Sequence, residues 1–292
     1  MCNGTIMDKL ISFSIPLMLS GILQLMFNAV DIVVVGRFSG SQSLAAVGST
    51  TALINVFTNL FIGISLGTNV LAARFYGAGK TKEMSETVHT SIALALISGV
   101  AMAVIGLIFS RWSLEVMGTP EDVLGLSVIY LRIYFIGIIA NLVYNVGAAI
   151  LRAVGDSKRP LYFLAASCLV NIALDIVLVV FCRLGVVGAA LATILSQLFS
   201  AFLVVACLMR TKDMHRLVLK ELCLDRRMLK RIIRIGLPAG MQSVMYGLSN
   251  VIIQSGINSL GTNTVAAWAA YSKLDSVFWM MINAFGISVT TF

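Results

Sequence analysis

The sequence predicts an all-α polytopic membrane protein, with a six-helix N-terminal lobe and the first two helices of a second, parallel-repeat lobe. The 292 residues are 59% hydrophobic and only 12% charged, with a mean hydropathy of +0.95. This composition is too apolar for a soluble globular protein. Apolar runs long enough to cross a bilayer recur along the chain, and the first of them resembles a later one. Such spans must be helices, because lipid offers no hydrogen-bond partners to the backbone.

The apolar runs define eight candidate spans. The first is too long for the hydrophobic part of a signal peptide and lacks a small-residue cleavage site, so we interpret it as a span. The connectors between the spans are short and hold most of the glycine, proline and charge. The spans cover residues 11–36, 47–73, 87–109, 123–150, 161–182, 186–209, 232–257 and 265–290.

The basic residues are divided unequally between the two sides of these spans. Most of the 21 Lys and Arg lie at the N-terminus or in the loops after spans 2, 4 and 6. Arg37, Arg111 and Arg183 lie on the other side. The positive-inside rule then predicts a cytoplasmic N-terminus, and we expect the protein in the plasma (inner) membrane. We therefore take the net charge of +8 as a topology signal, with the lipid bilayer and not nucleic acid as the partner.

An internal repeat predicts the domain organisation. Residues 14–36 align with 236–258, which places Pro16 on Pro238 and Asn28 on Asn250. Residues 44–57 then align with 265–278 after a one-residue gap. The repeat unit holds six spans, an even number, so both copies begin on the same side, as in many transporters.

The alignment predicts three regions. Residues 1–210 form the six-helix lobe, 211–231 a basic cytoplasmic linker, and 232–292 the start of the C-terminal lobe. Two full copies would need roughly 440 residues, so we expect either a chain truncated within its second copy or an unusually short relative.

Polar side chains recur at helical spacing inside three spans. Asp31, Asp175 and Asp275 are the acidic residues within spans, and an intramembrane carboxylate indicates a functional site. Polar side chains that share a helix face could line a water-filled cavity, or they could join helices by hydrogen bonds. The faces comprise Ser20, Gln24, Asn28 and Asp31 in span 1, Ser167, Asn171 and Asp175 in span 5, and Thr193, Gln197 and Ser200 in span 6.

The two first-lobe carboxylates need something to neutralise them. The chain places no Lys or Arg at matching depth; Arg132 could pair with an acid but is better placed to extend to the outer interface. A proton could neutralise the pair, or Na⁺ could bind at Asp31, Asn171, Asp175 and Thr193. We expect H⁺ or Na⁺ as the coupling ion and no other cofactor. Ile253 replaces Asp31 in the second copy, so ion coupling is predicted in the first.

Enzyme chemistry is not expected. The G-x-x-x-x-G-K-[ST] loop of ATP-binding proteins is missing from the sequence, and its two histidines, His89 and His215, are isolated. The five cysteines form no C-x-x-C pair, which argues against a metal or redox site. The segment "YGAGK" (76–80) fits a tight turn after a helix end.

Four motifs resemble one family. "VDIVVVGRFSG" (30–40), "RFYGAGK" (74–80), "LRAVGDSKRP" (151–160) and "GVVGAALATILSQ" (185–197) are similar to the multidrug and toxic compound extrusion (MATE) transporters. This resemblance implies twelve helices in two six-helix lobes around a central cleft. It also implies export of cationic, amphipathic compounds in exchange for H⁺ or Na⁺.

The resemblance also assigns residues. Asp31, Asn171, Asp175 and Thr193 match the family's first-lobe cation site, and Gln24 matches a glutamine of the cleft. Phe27 stands where some members have a tyrosine, so a hydroxyl contact is lost there. Together with the polar faces, the predicted substrate cleft comprises Gln24, Phe27, Asn28, Asn145, Gln197, Gln242, Tyr246 and Asn250.

These observations predict a monomeric, cation-coupled antiporter that exports cationic amphipathic drugs or toxic compounds by alternating access. Two alternatives stay open: a lipid-linked oligosaccharide flippase of the same superfamily, and an inactive fragment with no transport of its own. The identity of the substrate, the choice of H⁺ or Na⁺ and the side to which the cleft opens are also left open.

Overall fold

The computed structural model describes residues 6–258 and 262–291, with side chains for most of them. All eight predicted spans are helical, and no strand occurs among the described residues. Seven of them extend past the predicted bounds at both ends, whereas the fifth ends at Phe181, one residue before its predicted end. The helices are α1 (Ile6–Phe38), α2 (Gly40–Gly77), α3 (Thr81–Val116), α4 (Glu121–Ala153), α5 (Lys158–Asp175), α6 (Gly185–Arg210), α7 (Arg226–Asn258) and α8 (Thr262–Thr291), with a π-helical turn at Ile176–Phe181 and a 3₁₀ turn at Leu219–Glu221.

Six of these helices, α1 to α6, are long and apolar enough to cross a membrane, judged on the described residues. The protein is therefore a multi-pass membrane protein. We call the end of the bundle where α1 begins the basic end, because the loops that follow α2, α4 and α6 lie there, and these loops together with the adjoining helix ends hold most of the Lys and Arg.

Burial differs strongly among the helices. In α4, 56% of the apolar stretch is buried, against 22% in α1. Leu131, Phe135 and Ile138 of α4 belong to the main core, which α2, α3 and α6 complete. The helix that carries Asp31 is thus peripheral, whereas α4 is the packed centre of the lobe.

The turn predicted at residues 76–80 is confirmed. The Ala78 N–H donates to the Arg74 carbonyl at 3.1 Å and the Lys80 N–H donates to the Phe75 carbonyl at 3.0 Å. Gly79 has a φ of +65°, a backbone conformation that glycine adopts without a steric penalty.

The segment predicted as a linker, 211–231, packs against the first lobe and becomes helical at Arg226. His89 Nε2 accepts a hydrogen bond from the Val218 N–H at 3.1 Å, and Leu217 is only 2% exposed. Asp225 Oδ1 accepts the Met228 N–H at 2.9 Å and so caps the start of α7. The helix begins six residues before the predicted span because this cap, and not the end of the basic run, sets its first turn.

Two helix pairs supply most of the contacts between the first lobe and the start of the second, at the basic-end half of the bundle. In the pair α2–α7, a Cβ on Gly67 would lie 2.6 Å from the Ile232 carbonyl oxygen, and a Cβ on Gly236 would lie 2.7 Å from the Gly63 carbonyl oxygen. Gly63 and Gly67, like Gly236 and Gly240, form a G-x-x-x-G pattern, which lets helix backbones approach closely.

The second pair, α1–α8, is joined by side chains. The hydroxyls of Ser14 and Ser288 lie 2.7 Å apart, and both residues are buried. Phe13 and Leu17 pack against Ala284 beside them. The contacts between the two lobes are therefore well packed at the basic end.

Candidate cation site and substrate cleft

The structure brings the four predicted cation-site residues together from three helices. Thr193 Oγ1 on α6 donates a hydrogen bond to Asp31 Oδ2 on α1 at 3.3 Å. The Asp31 carboxyl also interacts with the side chains of Asp175 and Asn171 on α5. These contacts make one small cluster with two carboxyls, one amide and one hydroxyl.

Helical spacing places the α5 side chains on one buried face, as predicted. Ser167, Asn171 and Asp175 are 3%, 0% and 0% exposed. The Ser167 hydroxyl donates to the Ser196 carbonyl of α6, which fixes α5 against α6 one turn from Asn171. The site therefore has a rigid wall formed by α5 and α6, and a peripheral wall formed by α1.

Asp175 is the last α-helical residue of α5, and the π-helical turn Ile176–Phe181 follows it directly. The sequence predicted one regular span through residue 182. The wider turn lies where the chain reverses into α6, and there the Leu184 N–H donates to the Leu178 carbonyl at 3.0 Å. π-helical turns often occur at functional sites, and here the turn begins at the buried carboxyl.

Most polar atoms of the cluster have no hydrogen-bond partner among the described residues. These atoms are Asp31 Oδ1, both carboxyl oxygens of Asp175, and both amide atoms of Asn171. The Thr193 hydroxyl also lies 3.0 Å from the Ala189 carbonyl, so its one proton serves two acceptors. Buried polar groups are nearly always satisfied in folded proteins, so these four oxygens and one amide nitrogen are available to a partner from outside the described residues.

Tyr130 is a member of the site that the sequence analysis missed. It is 7% exposed on the central helix α4 and interacts electrostatically with both Asp31 and Asp175. The signal was available, because Ser127, Tyr130 and Tyr134 follow the same helical spacing as the predicted polar faces.

The predicted cleft residues of α1 and α7 lie mainly on accessible surfaces. Gln24 and Asn28 are exposed and Phe27 is half-buried on α1; Gln242, Tyr246 and Asn250 are exposed on α7. The Tyr246 ring stacks edge-on with Trp279 of α8, with ring centroids 5.7 Å apart. A polar and aromatic surface thus continues from α7 to α8.

The other two predicted cleft residues are engaged within the lobe. Gln197 is half-buried and interacts with the Tyr134 hydroxyl. Asn145 Nδ2 donates to the Asn141 carbonyl at 2.8 Å on its own helix. Asp275, the remaining intramembrane acid, accepts a hydrogen bond from the Tyr271 hydroxyl at 3.4 Å.

A bundle with six helices long and apolar enough to cross a membrane, and with two carboxyls set between three of its helices, has an arrangement typical of membrane transporters. The family model described as MatE matches residues 16–177, more than half of the chain. The chain therefore belongs to the MatE family, whose members are transporters and not enzymes.

Individual proteins support this assignment. The "Probable multidrug resistance protein YoeA" of Bacillus subtilis (strain 168) is 34% identical over 288 residues, which cover 96% of this chain and 62% of that protein. A solved structure described as "Crystal structure of MATE in the bent conformation" superposes with a TM-score of 0.91 at 27% identity, over 99% of this chain and 64% of that one. A second is described as the "Outward-facing conformation of a multidrug resistance MATE family transporter of the MOP superfamily". It superposes with a TM-score of 0.91 at 27% identity, over 99% of this chain and 64% of that one. The chain thus spans just under two thirds of the length of these relatives.

Proposed function

We propose that this protein is a cation-coupled exporter of cationic, amphipathic compounds, and that H⁺ or Na⁺ binds at Asp31, Asn171, Asp175 and Thr193. The observation that carries the proposal is the set of buried carboxyl oxygens without partners between α1, α5 and α6. The multidrug relatives support drug export as the transport activity.

The energetics of burial support a coupling ion. An isolated carboxylate is costly to bury unless a cation or proton neutralises it, and two adjacent carboxylates add mutual repulsion. The described residues place no lysine or arginine within ion-pair distance of Asp31 or Asp175. An exchangeable ion would neutralise the pair, and the Asn171 and Thr193 oxygens would complete a mixed oxygen shell for Na⁺.

The packing of α1 supports a mechanism. Because α1 is the least buried of the six spans, it can move against the rigid wall of α5 and α6 at little packing cost. An ion held by both Asp31 and Asp175 would draw α1 toward that wall. Its exposed Gln24 and Asn28 would move with it, so ion binding would reshape the cleft and lower its affinity for substrate.

The placement of the contacts between lobes supports an outward-opening cleft. The pairs α1–α8 and α2–α7 are packed at the basic end, through Ser14–Ser288 and the glycine crossing. We infer that the basic end is cytoplasmic, in accord with the positive-inside rule, that the membrane is the plasma (inner) membrane, and that the protein acts as a monomer.

The proposed substrates follow from the surfaces of α1 and α7. Amide groups, the Tyr246–Trp279 ring pair and methionines such as Met241 and Met245 are exposed on these helices or their neighbours. Aromatic rings attract organic cations, and methionine adapts to ligands of different shape. A lipid-linked oligosaccharide flippase, the alternative, is not favoured by the multidrug relatives.

The test is gradient-driven uptake of a fluorescent cationic dye by proteoliposomes that contain the protein. We expect Asp31→Asn to abolish the gradient-driven component of dye uptake, because the asparagine amide cannot bind and release a proton and has no negative charge to bind Na⁺. Asp122→Asn is the matched control, since Asp122 is exposed at the start of α4. Undiminished driven flux in Asp31→Asn would contradict the coupling role.

The same vesicles decide between the ions. A proton gradient and a sodium gradient, imposed separately, should drive the dye unequally, and only the coupled ion should lose its effect in Asp31→Asn. If neither gradient drives the unmodified protein, the inactive-fragment alternative holds. Ion binding can then still be measured, since a bound ion raises the unfolding temperature.

A further inference from the structure

A cavity of about 490 Å³ lies at the basic end, between the last turns of α2, the start of α3 and the first turns of α7. Its apolar lining includes Leu71, Phe75 and Ile235. Its basic lining includes Arg74, Arg231 and Arg234, all exposed. The cavity is therefore amphipathic, with an apolar surface beside several guanidinium groups.

The charges of this cavity are not balanced from within the protein. Lys80 lies 3.9 Å from Glu83, and Arg227 lies 2.9 Å from Glu86. For the described part of the chain, no carboxylate lies within ion-pair distance of Arg74, Arg231 or Arg234. The Arg231 guanidinium lies 6.0 Å from the centroid of the Phe75 ring, which orients it over the apolar surface.

The cavity also lies where an apolar helix meets a basic loop. Leu71, Arg234 and Ile235 lie within the predicted spans, close to their ends, whereas Arg74 and Arg231 lie just outside them. This is the depth of lipid headgroups, and basic pockets between membrane helices bind anionic headgroups. Guanidinium groups bind phosphate oxygens through paired hydrogen bonds.

We propose that this cavity is a binding site for the phosphate of an anionic phospholipid, held by Arg74, Arg231 and Arg234 with its acyl chains against Leu71, Phe75 and Ile235. The site joins α2 of the first lobe to α7 of the second. A bound headgroup therefore cross-links the two lobes beside the glycine crossing, and it stabilises their packing at the basic end.

A second cavity shows that size alone does not make a cavity a binding site for an anionic headgroup. It measures about 670 Å³ and lies at the opposite end, between α3 and α4. Its lining includes Arg111, Arg132, Glu115 and Glu121, and Arg111 Nε lies 2.8 Å from Glu115 Oε1. Its charges are balanced, so it lacks the excess of positive charge that would bind an anion.

The experiment is native mass spectrometry of the purified protein in detergent, titrated with phosphatidylglycerol and, separately, with phosphatidylcholine. We expect one phosphatidylglycerol to bind in preference to phosphatidylcholine. The triple variant Arg74→Gln, Arg231→Gln, Arg234→Gln should weaken that binding about 100-fold, since each basic side chain near an anionic surface contributes roughly a fivefold factor.

The control is the triple variant Arg210→Gln, Arg216→Gln, Arg226→Gln. It removes the same charge from the same end of the bundle but leaves the cavity lining intact. It should keep the preference, and phosphatidylglycerol should raise its unfolding temperature as in the unmodified protein. Equal weakening in both variants, or no preference in the unmodified protein, would overturn the proposal.

A third titration separates the lipid from a soluble anion. Inorganic phosphate carries the same recognition chemistry without acyl chains, so it should bind far more weakly than the lipid. Phosphate binding as tight as that of phosphatidylglycerol, and lost in the same triple variant, would assign the cavity to a soluble anion. Circular dichroism verifies that each variant retains its helical content.

Discussion

The carboxyl site and the contacts between the lobes both bury polar groups inside membrane helices, but they treat those groups in opposite ways. At the contacts, the Ser14 and Ser288 hydroxyls bond to each other, and the Thr291 hydroxyl bonds to Asn69 Oδ1 at 3.2 Å. At the carboxyl site, the oxygens of Asp175 and the amide of Asn171 have no partner among the described residues.

This difference separates two uses of intramembrane polarity. Polar groups that satisfy one another join helices at a modest gain. Polar groups left unsatisfied cost stability, and they persist where something outside the chain binds them. The partner of a buried group, rather than its polarity, therefore distinguishes a structural from a functional position.

The largest effect is expected at the glycine crossing. Gly63→Ala places a Cβ against the backbone of α7, and backbone atoms cannot move aside as a side chain can. We expect α2 and α7 to separate, at a cost of about 3 kcal/mol in the free energy of unfolding, the upper part of the range for overpacking. Thermal unfolding of the purified protein measures it.

The matched control is Gly48→Ala on the same helix, where a Cβ would meet nothing within 4 Å. Alanine is the better helix former by about 1 kcal/mol, so this variant should be as stable as the unmodified protein or slightly more so. Equal stability of the two variants would show that the glycine crossing does not limit the approach of α2 to α7.

Asp175→Asn should separate function from stability. We expect ion-driven dye transport to fall about 100-fold or more, the lower end of the range for the loss of a positioned proton-transfer group. The free energy of unfolding should rise by about 1–3 kcal/mol, because a neutral amide is cheaper to bury than a carboxylate without a partner.

Asp122→Asn supplies the comparison again, with transport retained and stability changed little at its exposed position. A marked loss of stability in Asp175→Asn would mean that the carboxyl is bound within the protein. The difference between the site and the contacts would then disappear.

A smaller effect is expected at the contact of α1 with α8. Ser14→Ala or Ser288→Ala should each cost about 1 kcal/mol, and the double variant little more than either, because both remove one hydrogen bond. A double-mutant cycle of unfolding free energies measures the coupling. Fully additive losses would show that the two hydroxyls do not act as a pair.

Much of the fold could be predicted from the sequence, because lipid leaves a spanning segment little choice but a helix. The same constraint placed Asn171 and Asp175 on one face, since a helix turns at a fixed rate. The convergence of Asp31 and Thr193 upon them depended on the family resemblance, because periodicity does not say which faces meet.

Other features depend on tertiary contacts and were missed. The G-x-x-x-G patterns at Gly63 and Gly236 were visible but had no assigned partner, since only the packing of α2 on α7 makes them an interface. Tyr130 was missed because most residues around it in the sequence are apolar, so the polar face that it shares with Ser127 and Tyr134 was not recognised. The π-helical turn after Asp175 arises from the reversal into α6, which no local pattern indicated.

The smallest effect tests whether a buried nitrogen without a partner always marks a functional site. His215 is 4% exposed, and its Nδ1 has no hydrogen-bond partner in the described part of the chain, yet it lies in the loop before α7. Burial, aided by the Arg159 charge, lowers the pKa of His215 below its usual value, and the charges of Asp213 and Asp156 oppose this only in part.

The unfolded chain therefore binds a proton at this histidine at a higher pH than the folded one. Stability should be full above the ordinary histidine pKa of about 6.5 and should fall as the pH drops below it. His215→Asn should remove this pH dependence of the unfolding temperature and leave dye transport unchanged. Loss of transport in that variant would make His215 part of the machinery, and the docked loop would then act with the carboxyl site.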